Sequence, residues 1–132
     1  MIGLDTNVLV RYFAQDDPKQ TPVANRIMAG LSKDEPAFIS LVTLCELVWV
    51  LEDAYQQKKL RILDVLRGLL ESDEIEIENK SVAWAAFGTF RDAALDFSDA
   101  VIVESGKDAG CAHTVTFDKL AARTTGFLLA GR

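Results

Sequence analysis

Four acids carry the chemistry this sequence could perform. Asp5 ends the apolar run Ile2-Gly3-Leu4, Asp118 ends Cys111–Phe117, and Asp99 follows Asp96-Phe97-Ser98. Glu46 is the only acidic or basic residue between Leu41 and Leu51. On a helix, Leu44, Leu47, Val48, Leu51 and Tyr55 form one apolar face, and Glu46 points the other way beside Val42, Trp49 and Val50. Its own face is then apolar too, and a carboxylate there costs on the order of several kcal/mol to desolvate unless it is paired or binds a cation. Each acid has a local alternative. Asp5 and Asp118 can cap the helices that follow them, Asp99 lies in a first turn where the helix dipole favours its charge, and Glu46 can reach solvent or pair with an arginine. Those alternatives do not explain four acids at element ends or in apolar runs, all able to converge on one edge of a sheet. Converging like charges repel, and a divalent cation is the usual resolution. An all-oxygen set suits magnesium or manganese rather than zinc.

The elements that must position these acids alternate. A short strand at Ile2–Leu4 leads to a helix through Val8, Leu9, Tyr12 and Phe13. Asp17-Pro18-Lys19-Gln20 starts a second helix, with Asp as N-cap, Pro at N1 and Gln at N3, running to about Ala29. The strand Ala37-Phe38-Ile39 precedes a helix capped by Ser40 and running to about Gln56. Lys59–Glu71 carries the apolar stripe Ile62, Leu63, Leu66, Leu69 and Leu70. Glu74-Ile75-Glu76-Ile77-Glu78 alternates strictly and reads as a strand near a sheet edge. Helices at Ser81–Ala94 and Ser98–Ala109, a strand over Cys111–Phe117, a short helix near Lys119–Arg123 and a strand at Phe127–Leu129 complete the chain. Strands alternating with helices predict an α/β fold with a mainly parallel sheet, whose ligands sit beyond the carboxyl ends of the strands. Asp5 and Asp118 fall there.

At 132 residues and 49% hydrophobic content, the chain reads as one globular domain, residues 1–132. Acidic residues number 20 against 14 basic, a net charge of -6. That excludes a basic nucleic-acid coat protein but not an enzyme that meets nucleic acid through bound cations. No apolar run approaches the roughly 18 residues of a membrane span, and Met1-Ile2-Gly3-Leu4 meets Asp5 without a basic leader. Cys45 and Cys111 are too few for a disulfide framework and lack metal-type spacing. The expected setting is the cytoplasm, with reduced thiols and no membrane.

Asp5-Thr6-Asn7-Val8-Leu9, the Glu46 helix, Asp96-Phe97-Ser98-Asp99-Ala100 and Thr116-Phe117-Asp118 together resemble the signature of the PIN domain. The text Glu46-Leu47-Val48-Trp49-Val50-Leu51 and the stretch from Leu95 to Ile102 are most similar to the VapC toxins of bacterial toxin–antitoxin pairs. The resemblance spans the chain and implies a three-layer α/β/α fold around a five-stranded, mainly parallel sheet. It implies a metal-dependent endoribonuclease, with Asp5, Glu46, Asp99 and Asp118 as the catalytic and magnesium- or manganese-binding quartet. Asp96 matches an accessory acid, either behind the ligands or a plain cap, the cap being preferred. Thr6, Asn7 and Thr116 match small polar positions beside the site, and Arg11, Lys119 and Arg123 lie near enough to the motifs to meet phosphate, although solvation explains them as well. The same resemblance implies RNA as substrate, an antitoxin protein bound over the site, and a homodimer. Phosphodiester hydrolysis needs a water of lowered pKa and a neutralised phosphate, both of which divalent ions supply. No histidine is required, and His113 is expected to pack in a strand. The quartet accounts for four of the six net negative charges, which bound cations would offset. Two other readings compete. A phosphoacceptor receiver domain would want an acidic pair after the first strand and a lysine after the last, and this chain has neither. A catalytically silent PIN-like module that only binds a partner is the other, and an RNA cleavage assay with and without magnesium separates it from the enzyme.

Overall fold

The computed structural model describes residues 1–131 and divides into two compact units, Met1–Lys80 and the chain from Ser81 onward. The first contains β1 (Ile2–Gly3), α1 (Thr6–Ala14), α2 (Gln20–Ala29), β2 (Ala37–Ile39), α3 (Leu41–Asp53), α4 (Lys59–Glu71) and β3 (Ile75–Ile77). Its sheet is parallel, in the order β1-β2-β3, with Ile2 opposite Ala37 and Ala37 opposite Ile75. The central strand is buried at Ala37 and Ile39, whereas β3 buries Ile75 and Ile77 and exposes Glu76. That alternation is what an edge strand with one wet face requires. Leu9, Ile39, Leu44, Leu47, Leu51, Ile62 and Leu66 are fully buried, and the α4 stripe read from the sequence is the face that goes inside. Local chemistry sets the helix starts. Asp17 Oδ1 accepts the backbone N–H groups of Lys19 and Gln20 at 2.9 and 2.7 Å, and Ser40 Oγ accepts that of Thr43 at 3.1 Å. The second is the side-chain cap that orphan helix donors demand; the first turns the chain into α2, whose N-cap position, Lys19, makes no side-chain capping bond.

The second unit holds nearly all of α5 (Lys80–Asp92), then α6 (Phe97–Asp108), β4 (Thr114–Thr116), a 3-10 turn at Ala121–Arg123 and β5 (Phe127–Leu129). β4 and β5 pair in parallel, Thr114 opposite Phe127 and Thr116 opposite Leu129. Phe90 and Phe97 meet edge to face at 5.7 Å in a core with Phe87, Ala100 and Val103. Two glycines set how closely the elements approach. A Cβ at Gly106 of α6 would lie 2.6 Å from Thr114 Oγ1. Gly126, at φ +106°, would place one 2.7 Å from Val103 Cγ2.

The pairing differs from a single five-stranded sheet: three strands pair in the first unit and two in the second. Each strand contributes only two or three residues to a ladder. The strand expected over Cys111–Phe117 shrinks to Thr114–Thr116 for identifiable reasons. Gly110, at φ +91°, and the bond from Cys111 N–H to Gly106 C=O still belong to the end of α6. At the other end, the Asp118 N–H turns back onto Thr116 Oγ1 at 3.0 Å and removes Phe117 from the ladder. His113 therefore lies outside the strand and is exposed. Among the described residues, no helix is long and apolar enough to cross a membrane.

Candidate functional site

In the first unit, Asp5 follows β1 with extended backbone (φ -80°, ψ 158°) and caps α1. Its Oδ1 accepts the N–H of Thr6 at 2.7 Å, and its Oδ2 faces the Asn7 side-chain amide at 3.5 Å. Thr6 then donates its hydroxyl to Glu46 Oε1 at 2.8 Å. One residue thus ties two of the predicted carboxylates together, its amide on Asp5 and its hydroxyl on Glu46. The sequence pointed to Thr6 only as a small polar neighbour. Its spacing to Glu46, 40 residues away, carries no signal without the fold.

Glu46 corrects the desolvation argument. It is exposed, and so are its neighbours on that face, Val42 and Trp49, at 68% and 63%. The apolar surroundings read from the sequence exist, but they are turned toward water, and the Thr6 hydroxyl is the partner Glu46 finds.

In the second unit, Asp96, Asp99 and Asp118 line one cavity of about 330 Å³ together with Leu95, Leu120 and Ala121. Asp96 and Asp118 are exposed and Asp99 is half-buried. Burial, and then the charges of Asp96 and Asp118, hold the Asp99 carboxyl above the usual aspartate range. This is what a like-charge cavity produces. Asp96 stands at the N-cap position of α6, yet its side chain makes no capping hydrogen bond. The preferred reading of Asp96 as a plain cap is therefore set aside, because its carboxylate lines the acid cavity instead. Asp118 does cap: its Oδ1 accepts the N–H groups of Leu120 and Ala121 at 2.9 and 3.2 Å.

Acids after a short parallel strand, at the head of a helix and on a helix beside a Thr bridge fit one known family. A profile of the PIN domain matches residues 2–126. The chain belongs to the PIN-domain family. PIN domains are typically nucleases, hydrolases of RNA or DNA, and no curated protein matches this chain.

Around its acids, the PIN domain places the remaining polar candidates as follows. Thr116 holds the turn into Asp118 through its hydroxyl, and Asn7 is exposed beside Asp5. Arg11 is engaged elsewhere. Its guanidinium donates to Asp16 Oδ1 at 2.7 Å and to the Tyr55 hydroxyl at 3.2 Å, and that hydroxyl donates to Asp16 Oδ2 at 2.7 Å. Tyr55 first and Arg11 after it hold the Asp16 carboxyl below its ordinary range, so this trio ties α1 to the end of α3. Among the described residues of each unit, no three His, Cys, Asp or Glu side chains close on a common point as a metal cage. What the carboxylates offer is an open, all-oxygen donor set. That chemistry matches magnesium, which dehydrates reluctantly, keeps several of its waters and uses only one or two carboxylates, and it does not match zinc.

Proposed function

We propose that this PIN domain is a divalent-metal-dependent endoribonuclease, the toxin of a toxin–antitoxin pair, using magnesium or manganese. The observation that carries the reading is the cavity in which Asp96 and Asp118 oppose the charge of Asp99. A carboxylate held against its own ionisation by burial and like charge gains most from a cation. Asp99 and Asp118 would hold the ion directly, with Asp96 behind them acting on its waters. The motif resemblance adds Asp5 and Glu46 to the proposed metal-binding acids; neither has a salt bridge among the described residues, and Thr6 hydrogen-bonds to both. When bound, such ions supply a water of lowered pKa and neutralise charge on the scissile phosphate.

The residues of the chain do the rest. The Asp99 and Asp118 carboxylates orient the attacking water by accepting its hydrogen bonds, and a carboxyl oxygen receives its proton. The Thr6 hydroxyl orients Glu46 through their 2.8 Å hydrogen bond, which favours a carboxylate set before substrate arrives. The toxin role, an antitoxin covering the acids, a homodimer and action in the cytoplasm belong to the same proposal. Their support is the motif resemblance, the acidic cavity that a basic antitoxin side chain would enter, and the two thiols Cys45 and Cys111, which are not joined in a disulfide.

The test is cleavage of a labelled RNA by wild type and Asp99→Asn in magnesium, in manganese and in EDTA. Cleavage that needs the metal and vanishes in the variant is the expected result. Cleavage undiminished in EDTA, or by the variant, would overturn the metal-site reading, and no cleavage at all would leave a PIN-like binding module. The toxin role is checked by expressing the chain with and without a small protein encoded beside it. Growth arrest relieved by that neighbour is expected, and growth without arrest counts against the role.

A further inference from the structure

Beside the acid cavity the second unit has a groove of about 720 Å³, and Ala94 and Leu120 line both. Its volume lies in the range of specific ligand sites. From α5 come Trp84, Ala85, Gly88 and Thr89, and from the end of the 3-10 turn come Arg123 and Thr124. Small residues keep it open: a Cβ at Gly88 would meet only Arg91 Nη2, at 3.9 Å. Trp84 is 36% exposed and is braced by an edge-to-face contact with Phe87 at 5.6 Å. Part of its ring is thus both available and pre-set.

The charges sort themselves. Asp92 receives two hydrogen bonds from Arg91, at 2.8 and 3.0 Å. Lys107 pairs at 3.1 Å with the buried Glu104, which also accepts the Thr89 hydroxyl. Arg123 is exposed and makes no ion pair among the described residues. The groove therefore offers one uncompensated guanidinium, one braced aromatic ring and several hydroxyls, and it adjoins three carboxylates. An aromatic face with a nearby cation is how single-stranded nucleic acid is held without reading its sequence. A guanidinium in a groove that shares Ala94 and Leu120 with the acid cavity also suits a phosphate that must lie beside anionic groups.

We propose that this groove seats the single-stranded RNA that flanks the scissile phosphate, a base stacking on Trp84 and a backbone phosphate resting on Arg123. The inference rests on the ribonuclease reading, and its test separates the two. Binding of a labelled single-stranded oligoribonucleotide is measured by anisotropy in the Asp99→Asn protein with magnesium, and cleavage is measured in parallel in wild type. Trp84→Leu, which keeps apolar bulk against Phe87 without a face to stack on, should weaken binding about tenfold, while Trp84→Phe stays within about threefold. Arg123→Gln should lower the slope of log Kd against log salt by about 0.7, the value for one phosphate contact on a single strand. Lys33→Gln, on an exposed residue of the first unit, should leave that slope unchanged. In wild-type chemistry the groove variants should raise KM and spare kcat. A duplex of the same sequence should compete poorly, because its bases are not free to stack. Unchanged Kd and salt slope in Trp84→Leu and Arg123→Gln would overturn the groove, as would a duplex that competes equally. Absent cleavage with these binding losses intact would overturn the ribonuclease reading alone.

Discussion

Replacing Asp99 by Asn should stabilise the metal-free protein while abolishing cleavage, and both effects have one cause. Asp96, Asp99 and Asp118 line one cavity, and for carboxylates that share a cavity about 8 Å serves as the working separation. Two like charges about 8 Å apart repel by about 0.5 kcal/mol in a water-like dielectric and about 2 kcal/mol at an effective constant of 20. Asp96 and Asp118 are exposed, so the lower figure applies, and salt reduces it further. Relieving two such pairs is worth about 1 kcal/mol, or about 3–5 °C in Tm for a chain of this length. The sign follows from linkage. Asp99 binds its proton more tightly in the folded than in the unfolded chain, so wild-type stability is fully present below the ordinary aspartate pKa of about 3.9 and falls as pH rises through the folded value. Melts of wild type and Asp99→Asn in EDTA should therefore differ at pH 7 and converge toward pH 3.5, while RNA cleavage in magnesium drops at least about a hundredfold. A variant that melts lower than wild type at pH 7, with no convergence in acid, would mean that the Asp99 charge is satisfied locally by the start of α6. The repulsive cavity would then not exist.

Manganese at ten times its Kd should stabilise wild type by about 1.4 kcal/mol, near 4–6 °C, against a sodium chloride control. Asp5→Asn/Asp118→Asn should lose that response yet melt no lower in EDTA, since each Asn still caps. Tyr55→Phe removes the main cause of the depressed Asp16 pKa. The stability this pair adds is present above the ordinary aspartate pKa and lost as pH falls through the folded value, so the variant should melt below wild type at pH 7 and the difference should narrow as pH falls below the ordinary aspartate range. Gly126→Ala should cost about 2 kcal/mol, near 8 °C in Tm. Its backbone φ of +106° and the 2.7 Å approach to Val103 Cγ2 oppose a side chain together, and a melt unchanged from wild type would show that the turn relaxes freely.

Helices and caps were legible because their causes are local. Asp17, Ser40 and the α4 stripe act within a turn or two, and the exposed Glu76 between buried Ile75 and Ile77 repeats the written alternation. The strand over residues 111–117 was misjudged because its apolar letters compete with a glycine turn at one end and an Asx-like turn at the other, and turn bonds win over a ladder of three residues. Glu46 shows the deeper limit. The types of residues around it were read correctly, but whether a face is buried depends on what covers it, and Val42 and Trp49 stand in water. The role of Thr6 and the engagement of Arg11 by Tyr55 rest on contacts between distant segments, which no spacing encodes. For Asp96, position favours a cap over a place behind the ligands; it stands at the N-cap position, but its side chain lines the cavity instead.

Asp99 and Gly106 lie seven residues apart on α6, so they share a face, two turns and about 10 Å apart. At one end of that face is a carboxylate. At the other is the hydrogen that lets Thr114 sit where a Cβ would be only 2.6 Å away. Thr114 opens the strand that ends at the turn carrying Asp118. The helix and the strand thus work as the two jaws of a caliper whose screw is residue 106. A methyl group there would require the Thr114 hydroxyl to give way by several tenths of an ångström, by a turn about its χ1 or by a shift of the strand. A residue with no functional group, two helical turns from Asp99, thus sets how closely the strand that leads to Asp118 can lie against α6.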